Sequence, residues 1–465
     1  MDIRVRFFGG AKTVTGSKYL LEIDDFKLLV DCGLFQGLKE LRLKNWQPLD
    51  ITPSEIDAVL LTHAHIDHTG YLPRLVEDGF KGPVFCTDAT AELLKIMLLD
   101  SAKLQEEEAR FAKKKGYSKH DDPQPLYGQK SASKALEYHV KCGVNSEVSI
   151  SNEISARFVL AGHILGAASI ILQVSGSQQS KTLVFSGDLG RYDNPLHEDP
   201  TAIPTADVLF IESTYGNRQN ETQSPQEELA RTIHTMIDRK GCLLIPAFSV
   251  GRTQLMLYYL SELFDSQQIP KIPVYLDSPM ALSVTSLYRQ YNDYHRLSID
   301  KETGTSPFDH PQFHYVQKQA DSMALNNIQK GAIIISASGM CTGGRVLHHL
   351  YHRLPRPNDT VLFVGYQGEG TRGRKILDGA ENIKMFGLEV PVSCHIEIIN
   401  GLSAHADLSE LMQWASNFIS PPKKTFIVHG ELESARHFSN LLESELDQHP
   451  HIPELGESVS LFQGI

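Results

Sequence analysis

Apolar and polar side chains alternate from the first residues, Met1-Asp2-Ile3-Arg4-Val5-Arg6-Phe7-Phe8, the period-two pattern of a strand buried on one face. Short aliphatic runs then recur over the first ~210 residues, each ending in turn-forming or polar positions: Lys27-Leu28-Leu29-Val30-Asp31-Cys32-Gly33, Ala58-Val59-Leu60-Leu61-Thr62 and Thr182-Leu183-Val184-Phe185-Ser186-Gly187-Asp188. This spacing predicts a sheet whose polar groups gather at strand ends. From 91 to 141 the pattern becomes helical, and Glu106-Glu107-Glu108, Lys113-Lys114-Lys115 and Asp121-Asp122-Pro123 interrupt it. That texture predicts helices and an exposed loop with solvent-facing charges.

Between 208 and 390 the unit is strand, glycine turn, helix, repeated. Leu243-Leu244-Ile245-Pro246-Ala247-Phe248 runs into Ser249-Val250-Gly251-Arg252, and Ala332-Ile333-Ile334-Ile335-Ser336 into Ala337-Ser338-Gly339-Met340 and Gly343-Gly344-Arg345. Thr360-Val361-Leu362-Phe363-Val364 runs into Gly365-Tyr366-Gln367-Gly368. The pattern predicts a parallel, doubly wound sheet with ligands beyond the carboxyl ends of its strands. Strand texture returns after 391, in Cys394-His395-Ile396-Glu397-Ile398-Ile399.

Composition adds limits. The chain of 465 residues, 41% hydrophobic and 22% charged, is long enough for two or three packed domains. No apolar stretch approaches the ~18 residues of a membrane span, so neither a signal peptide nor a transmembrane helix is expected. The six cysteines form no CxxC pair, which argues against thiolate zinc or a disulfide framework and for a reducing cytoplasm. A net charge of −12 requires any nucleic-acid groove to be a local feature, because such binding draws on clustered Lys and Arg.

The strongest chemical signal is His63-Ala64-His65-Ile66-Asp67-His68-Thr69-Gly70, directly after an apolar run. In an extended segment residues two apart face the same way, so His63 and His65 can grip one metal ion, leaving Asp67 and His68 to face a second around the following turn. His163, beside Gly162, and Asp188, after an apolar strand, complete a first site of three histidines with a carboxylate able to bridge to a second. Nitrogen and oxygen donors of this kind suit tetrahedral zinc with one position open for water.

This combination resembles the metallo-β-lactamase superfamily, with Asp31 standing where that family keeps its first aspartate. The resemblance implies an αββα sandwich with metals at one edge. Three further segments, Ile211-Glu212-Ser213-Thr214-Tyr215-Gly216, Ser403-Ala404-His405-Ala406-Asp407 and Val428-His429-Gly430-Glu431, resemble the signatures of the β-CASP nucleases, in order and around a doubly wound insert. The implied division is a metallo-β-lactamase domain over 1–207 and 391–465 with a β-CASP domain over 208–390.

Carried over residue by residue, the resemblance makes His429 the remaining ligand of a second zinc with Asp67 and His68. Asp67, Glu212 and His405 become the catalytic set, His405 as an acid near the leaving oxygen and Glu212 as the residue that orients it. The implied activity is hydrolysis of RNA phosphodiester bonds by a hydroxide activated between two zinc ions, endonucleolytic and in some members also 5′-to-3′ exonucleolytic. Histidine at 429 is the RNA-type signature, where DNA-acting members tend to carry valine. A DNA nuclease of the same subfamily and a non-catalytic RNA-processing subunit are the alternatives.

The insert's loops, with Ser249, Arg252, Ser338, Gly339 and Arg345, are expected to meet RNA phosphates through backbone N–H groups and guanidinium charge, with Arg372 and Arg374 adding to it. The same glycines also serve as ordinary turns of an α/β sheet. No Walker-type ending argues for nucleotide hydrolysis. His348 and His352 read as a solvated helix face, and Trp46 and Trp414 as core or interface. The chain opens directly on the sheet and ends soon after His429, so a homodimer or an RNA-recruiting partner protein is expected to supply recruitment.

Overall fold

The computed structural model describes residues 1–115, 122–177, 179–219, 224–298, 305–368 and 370–464. The chain divides into two compact units, one of Met1–Asn194, Glu198–Gln219 and His405–Ile465, the other of Pro195–His197 and Asn220–Ala404.

The first unit holds two seven-stranded sheets. In one, Ser458–Phe462, Ile3–Gly9, Lys18–Ile23 and Phe26–Val30 pair antiparallel, and Ala58–Leu60, Val84–Thr87 and His139–Cys142 continue it in parallel. In the other, Pro450–His451, Lys424–Val428, Val208–Glu212 and Ser180–Phe185 run parallel, followed by antiparallel Ala168–Ser175, Ile154–Leu160 and Glu147–Ser149.

Alternation along the strands explains the layering. Val208 and Phe210 face the core shared by the two sheets, whereas Leu209 and Ile211 face a second core with Leu411 and Trp414 of helix Leu408–Ala415 and Phe438 and Leu442 of helix Leu432–Leu446. Within the shared core, Phe185 stacks on Phe210 at 4.2 Å and Phe210 on Phe426 at 5.0 Å, pairs worth ~0.5–1.5 kcal/mol each beyond their burial. Helix Asp88–Lys115 packs on the far side of the first sheet, against Val84–Thr87 and His139–Cys142. The result is the expected αββα sandwich.

That helix is continuous through Glu106–Glu108 and into Lys113, so the charged runs do not break the helical pattern. Glu and Lys are good helix formers, and here Glu107, Glu108 and Lys113 lie exposed. Lys113 bonds Asp122; Asp121, in the expected loop, lies outside the described residues. Trp414 is buried, but Trp46 is 55% exposed on the segment after the short helix Lys39–Lys44.

The second unit carries the parallel sheet expected from the sequence, in the order Phe313–Tyr315, Val274–Asp277, Ile333–Ser336, Leu243–Pro246, Thr360–Phe363, His395–Ile398, every pair parallel. Its connections contain the helices Arg252–Asp265, Pro279–Gln290, Gln319–Leu325, Arg345–Arg353 and Arg372–Leu377. The strand His395–Ile398 follows the boundary expected at 390, yet it is the edge strand of this sheet, hydrogen-bonded to Thr360–Phe363, and the compact unit extends to Ala404.

Candidate metal centre

In the first unit, chemistry-bearing side chains follow the carboxyl ends of strands from both sheets. Asp31 succeeds Phe26–Val30, His63 follows Ala58–Leu60, His163 follows Ile154–Leu160, and Asp188 follows Ser180–Phe185. Glu212 ends Val208–Glu212, and His429 succeeds Lys424–Val428. The short helix Ile66–Thr69 turns Asp67 and His68 back towards the same place.

Three sets of converging donor atoms result: His63, His65, His163 and Asp188; Asp67, His68 and His429; and Asp188, Glu212 and His405. In the first, His65 Nδ1 lies 3.0 Å from His63 Nε2 and 3.2 Å from His163 Nε2. Asp188 Oδ2 is 3.4 and 3.6 Å from the same two Nε2 atoms. A tetrahedral ion with donors at ~2.1 Å holds them ~3.4 Å apart, so these separations fit the edges of such a site. In the second set, His429 Nε2 is 3.8 Å from Asp67 Oδ2 and 3.6 Å from Asp188 Oδ1, and Asp188 Oδ1 is 3.2 Å from His68 Nε2.

Two of these atoms, His68 Nε2 and Asp188 Oδ1, are buried without a hydrogen-bond partner among the described residues. An unsatisfied buried polar atom costs ~1–3 kcal/mol, and a cation between them removes that cost. Burial keeps the imidazoles in the neutral form a ligand needs: it drives His63 and His163 well below the ordinary histidine range, His65 to about 4 and His429 to about 3. His68 goes the other way; burial opposes its charge, but Asp188 and Asp31 hold its pKa well above the usual value. Its proton stands where the carboxylates call for positive charge. Burial, reinforced by Asp188 against the pull of His68, raises Asp67 to about 6.

The contacts that support these donors escaped sequence reasoning. Asp31, 1% exposed, accepts from Thr62 N at 2.8 Å and from His68 Nδ1 at 2.7 Å, which leaves His68 Nε2 to face the centre. Ser17 Oγ lies 2.8 Å from His429 Nδ1. Thr214 Oγ1 donates to the His429 carbonyl at 3.1 Å, and Ser213 N donates to the same oxygen. Gly430 is required here, because a Cβ on it would meet Ser213 Oγ at 2.0 Å. Ser, Thr and Gly carry no pattern that separates these supports from ordinary turn residues.

His405 sits beside this centre. Its Nδ1 lies 3.3 Å from both carboxylate oxygens of Glu212, and its Nε2 is 3.9 Å from Asp188 Oδ2. Glu212, fully buried, accepts from Leu189 N at 2.6 Å. Burial lowers the His405 pKa, but Glu212 and then Asp188 more than offset it and raise it to about 10. Asp407 explains the rest of that motif: it caps helix Leu408–Ala415 in a reciprocal box with Glu410, fixing the backbone two residues after His405.

The insert residues occupy a different setting. Ser249, Arg252, Ser338, Gly339 and Arg345 all lie beyond the carboxyl ends of the second unit's strands. Ser249 Oγ is 3.5 Å from Ser278 Oγ, Arg252 opens helix Arg252–Asp265, Ser338 Oγ pairs with Thr342, and Gly339 packs against Phe248. Arg345 is committed to the buried Asp277 at 2.5 Å and to the carbonyls of Val316 and Gln317. Arg374 pairs with Asp378, and Arg372 donates to the Lys384 carbonyl. His348 and His352 are exposed, while the unpredicted His349 lies buried between Asp277 and Asn326, at 2.7 and 2.9 Å. A separate cavity of about 560 Å³ beside Trp46, Tyr71 and Arg74 contains none of the expected site residues.

Comparison with known proteins gives three consecutive family matches: the metallo-beta-lactamase superfamily over residues 13–236, the Beta-Casp domain over 253–376 and the Zn-dependent metallo-hydrolase RNA specificity domain over 389–453. The chain is 35% identical to a ribonuclease of Thermus thermophilus, over 95% of this chain and 96% of that one. It is 29% identical to a transcription termination factor of Methanocaldococcus jannaschii, over 97% of this chain and 70% of that one. A crystal structure of a protein of unknown function from Enterococcus faecalis shares the fold, with a TM-score of 0.55 at 14% identity, covering 99% of this chain and 100% of the other.

Proposed function

From the premise that the chain belongs to the β-CASP family of metal-dependent hydrolases in the metallo-β-lactamase superfamily, we propose that it is a zinc-dependent ribonuclease. The observation that carries this reading is that Asp188 turns Oδ2 to His63 and His163 and Oδ1 to His68 and His429, with the His405–Glu212 pair alongside. His63, His65 and His163 would hold one zinc ion; Asp67, His68 and His429 a second; Asp188 both. When bound, such a pair supplies a water of lowered pKa and positive charge for the attacked phosphate.

The chain's own groups do the rest. Asp67, as ligand, also accepts a hydrogen bond from the attacking water and orients it. His405, kept protonated by Glu212, gives its Nε2 proton to the departing 3′ oxygen, leaving 5′-phosphate and 3′-hydroxyl ends. Endonucleolytic cutting, with 5′-to-3′ exonucleolytic action at the same centre, belongs to this reading. RNA as substrate is supported by His429 and by what the relatives are called. The loops at Ser249, Arg252, Ser338 and Gly339 are proposed to meet RNA phosphates; Arg345, bonded to Asp277, would act through loop position. Recruitment through a homodimer or an RNA-binding partner is part of the same proposal.

Among the described residues no helix is long and apolar enough to cross a membrane. The six cysteines are buried and unbridged, which supports a reducing, cytoplasmic setting. The test incubates zinc-loaded protein with 5′- and 3′-labelled single-stranded RNA and matched DNA, beside a chelator-treated control. RNA cleavage that chelation abolishes and zinc restores is expected. Preference for DNA, or no cleavage by protein carrying two zinc ions, would overturn the reading.

A further inference from the structure

The glycine-rich segment Gly9-Gly10-Ala11-Lys12-Thr13-Val14-Thr15-Gly16-Ser17 joins strands Ile3–Gly9 and Lys18–Ile23, and the sequence marked it for no function. It folds back on itself: Gly10 N donates to the Thr15 carbonyl. Its last residue, Ser17, is fully buried although a serine there gains nothing from burial unless its hydroxyl is bonded. That hydroxyl reaches His429, 412 positions away, at 2.8 Å. The same residue's N–H donates to the Asp67 carbonyl at 2.9 Å, and its carbonyl accepts from Gly33 N at 3.0 Å. The His429 N–H, in turn, donates to the Gly10 carbonyl at 2.7 Å.

We infer that Ser17 is a positioning residue for the second donor set, fixing His429 in the tautomer and ring orientation that lets it ligate. A neutral imidazole offers a lone pair at Nε2 only when its proton is on Nδ1. Ser17 Oγ is the acceptor that holds the proton there, with Nε2 left pointing at Asp67 and Asp188. Because Ser17 also anchors the Asp67 backbone, one residue touches two of the three ligands in that set. His68, the third, is held the same way by Asp31. Nothing equivalent serves His163, whose Nδ1 lacks a partner among the described residues. The loop's role is therefore selective, confined to Asp67 and His429 of the second set, and this inference rests on the proposed two-ion reading.

Such partners typically change ion affinity by ~10–100-fold when removed. The experiment counts zinc per folded chain and titrates each ion by competition with a chromophoric chelator, for the wild type, Ser17→Ala, Ser17→Thr and His429→Ala, with thermal unfolding in parallel. The expected result is two ions in the wild type, one in His429→Ala, and in Ser17→Ala one tight ion plus one weakened roughly 10–100-fold. Ser17→Thr, which keeps the hydroxyl, should restore at least part of the second affinity. Wild-type binding of both ions by Ser17→Ala, while His429→Ala holds one, overturns the inference and leaves the functional reading standing. A single ion in the wild type overturns that reading and the inference with it. Equal weakening of both ions in Ser17→Ala overturns the selective role in favour of general damage.

Discussion

His63 and His65 come from one extended segment and His163 from a glycine turn; each leans on few neighbours, His63 on the hydroxyl of Thr62 at 3.1 Å. Asp67, His68 and His429 are gripped from several directions, by Ser17, Asp31, Gly10, Ser213 and Thr214. The difference follows from chain geometry. Residues two apart on an extended backbone converge without help, whereas a set assembled from a helical turn and a distant strand end must be aligned by its surroundings. The His63–His65 pair is local and largely self-aligning; the second set depends on the fold.

Asp188 is the position where the two sets meet, and its loss should do the most damage. In Asp188→Asn, metal analysis should find both ions weakened and cleavage lowered by several orders of magnitude; retention of either ion at wild-type affinity would contradict the sharing. His405→Ala leaves both sets intact, so kcat on RNA is expected to fall ~10²–10⁴-fold at unchanged zinc content, a split that a ligand role for His405 would not produce. Asp31→Asn keeps the size but weakens the hold on His68, and should lower affinity for the second ion alone by ~10–100-fold, read by competitive chelation.

The mildest change concerns pH. With Glu212 beside it His405 keeps its proton up to about 10. Its folded pKa is raised, so the pairing contributes stability in full below the ordinary value of ~6.5 and loses it as pH rises through the folded value. Glu212→Gln removes the largest raising influence, so the alkaline limb of the kcat profile should move to lower pH. An unmoved limb would assign that limb to another group.

The strand-end logic of the sequence carried far, because ligand-type residues directly after aliphatic runs point to strand ends, and the insert's parallel sheet was legible for the same reason. The αββα layers came only from the family resemblance, and Val208–Glu212, expected at the start of the insert, instead pairs with Ser180–Phe185 and Lys424–Val428 in the first unit. Less visible was membership of His395–Ile398 in that sheet: a strand's own pattern does not name its neighbour, and hydrogen bonding to Thr360–Phe363 decided it. Ser17 and His349 were illegible for a related reason. Each acquires meaning only from a partner distant in sequence, His429 in one case and Asp277 in the other.

The strand Ile3–Gly9 pairs with Ser458–Phe462 as well as with its sequence neighbour Lys18–Ile23, and the loop that follows it holds His429. During synthesis His63, His65, Asp67 and His68 therefore emerge long before the strand that delivers their last companion. A nascent chain has most of the donors and not the finished centre, and pairings of such long separation form late. Assembly of the full donor set is thereby tied to synthesis through Lys424–Val428, the strand that His429 succeeds.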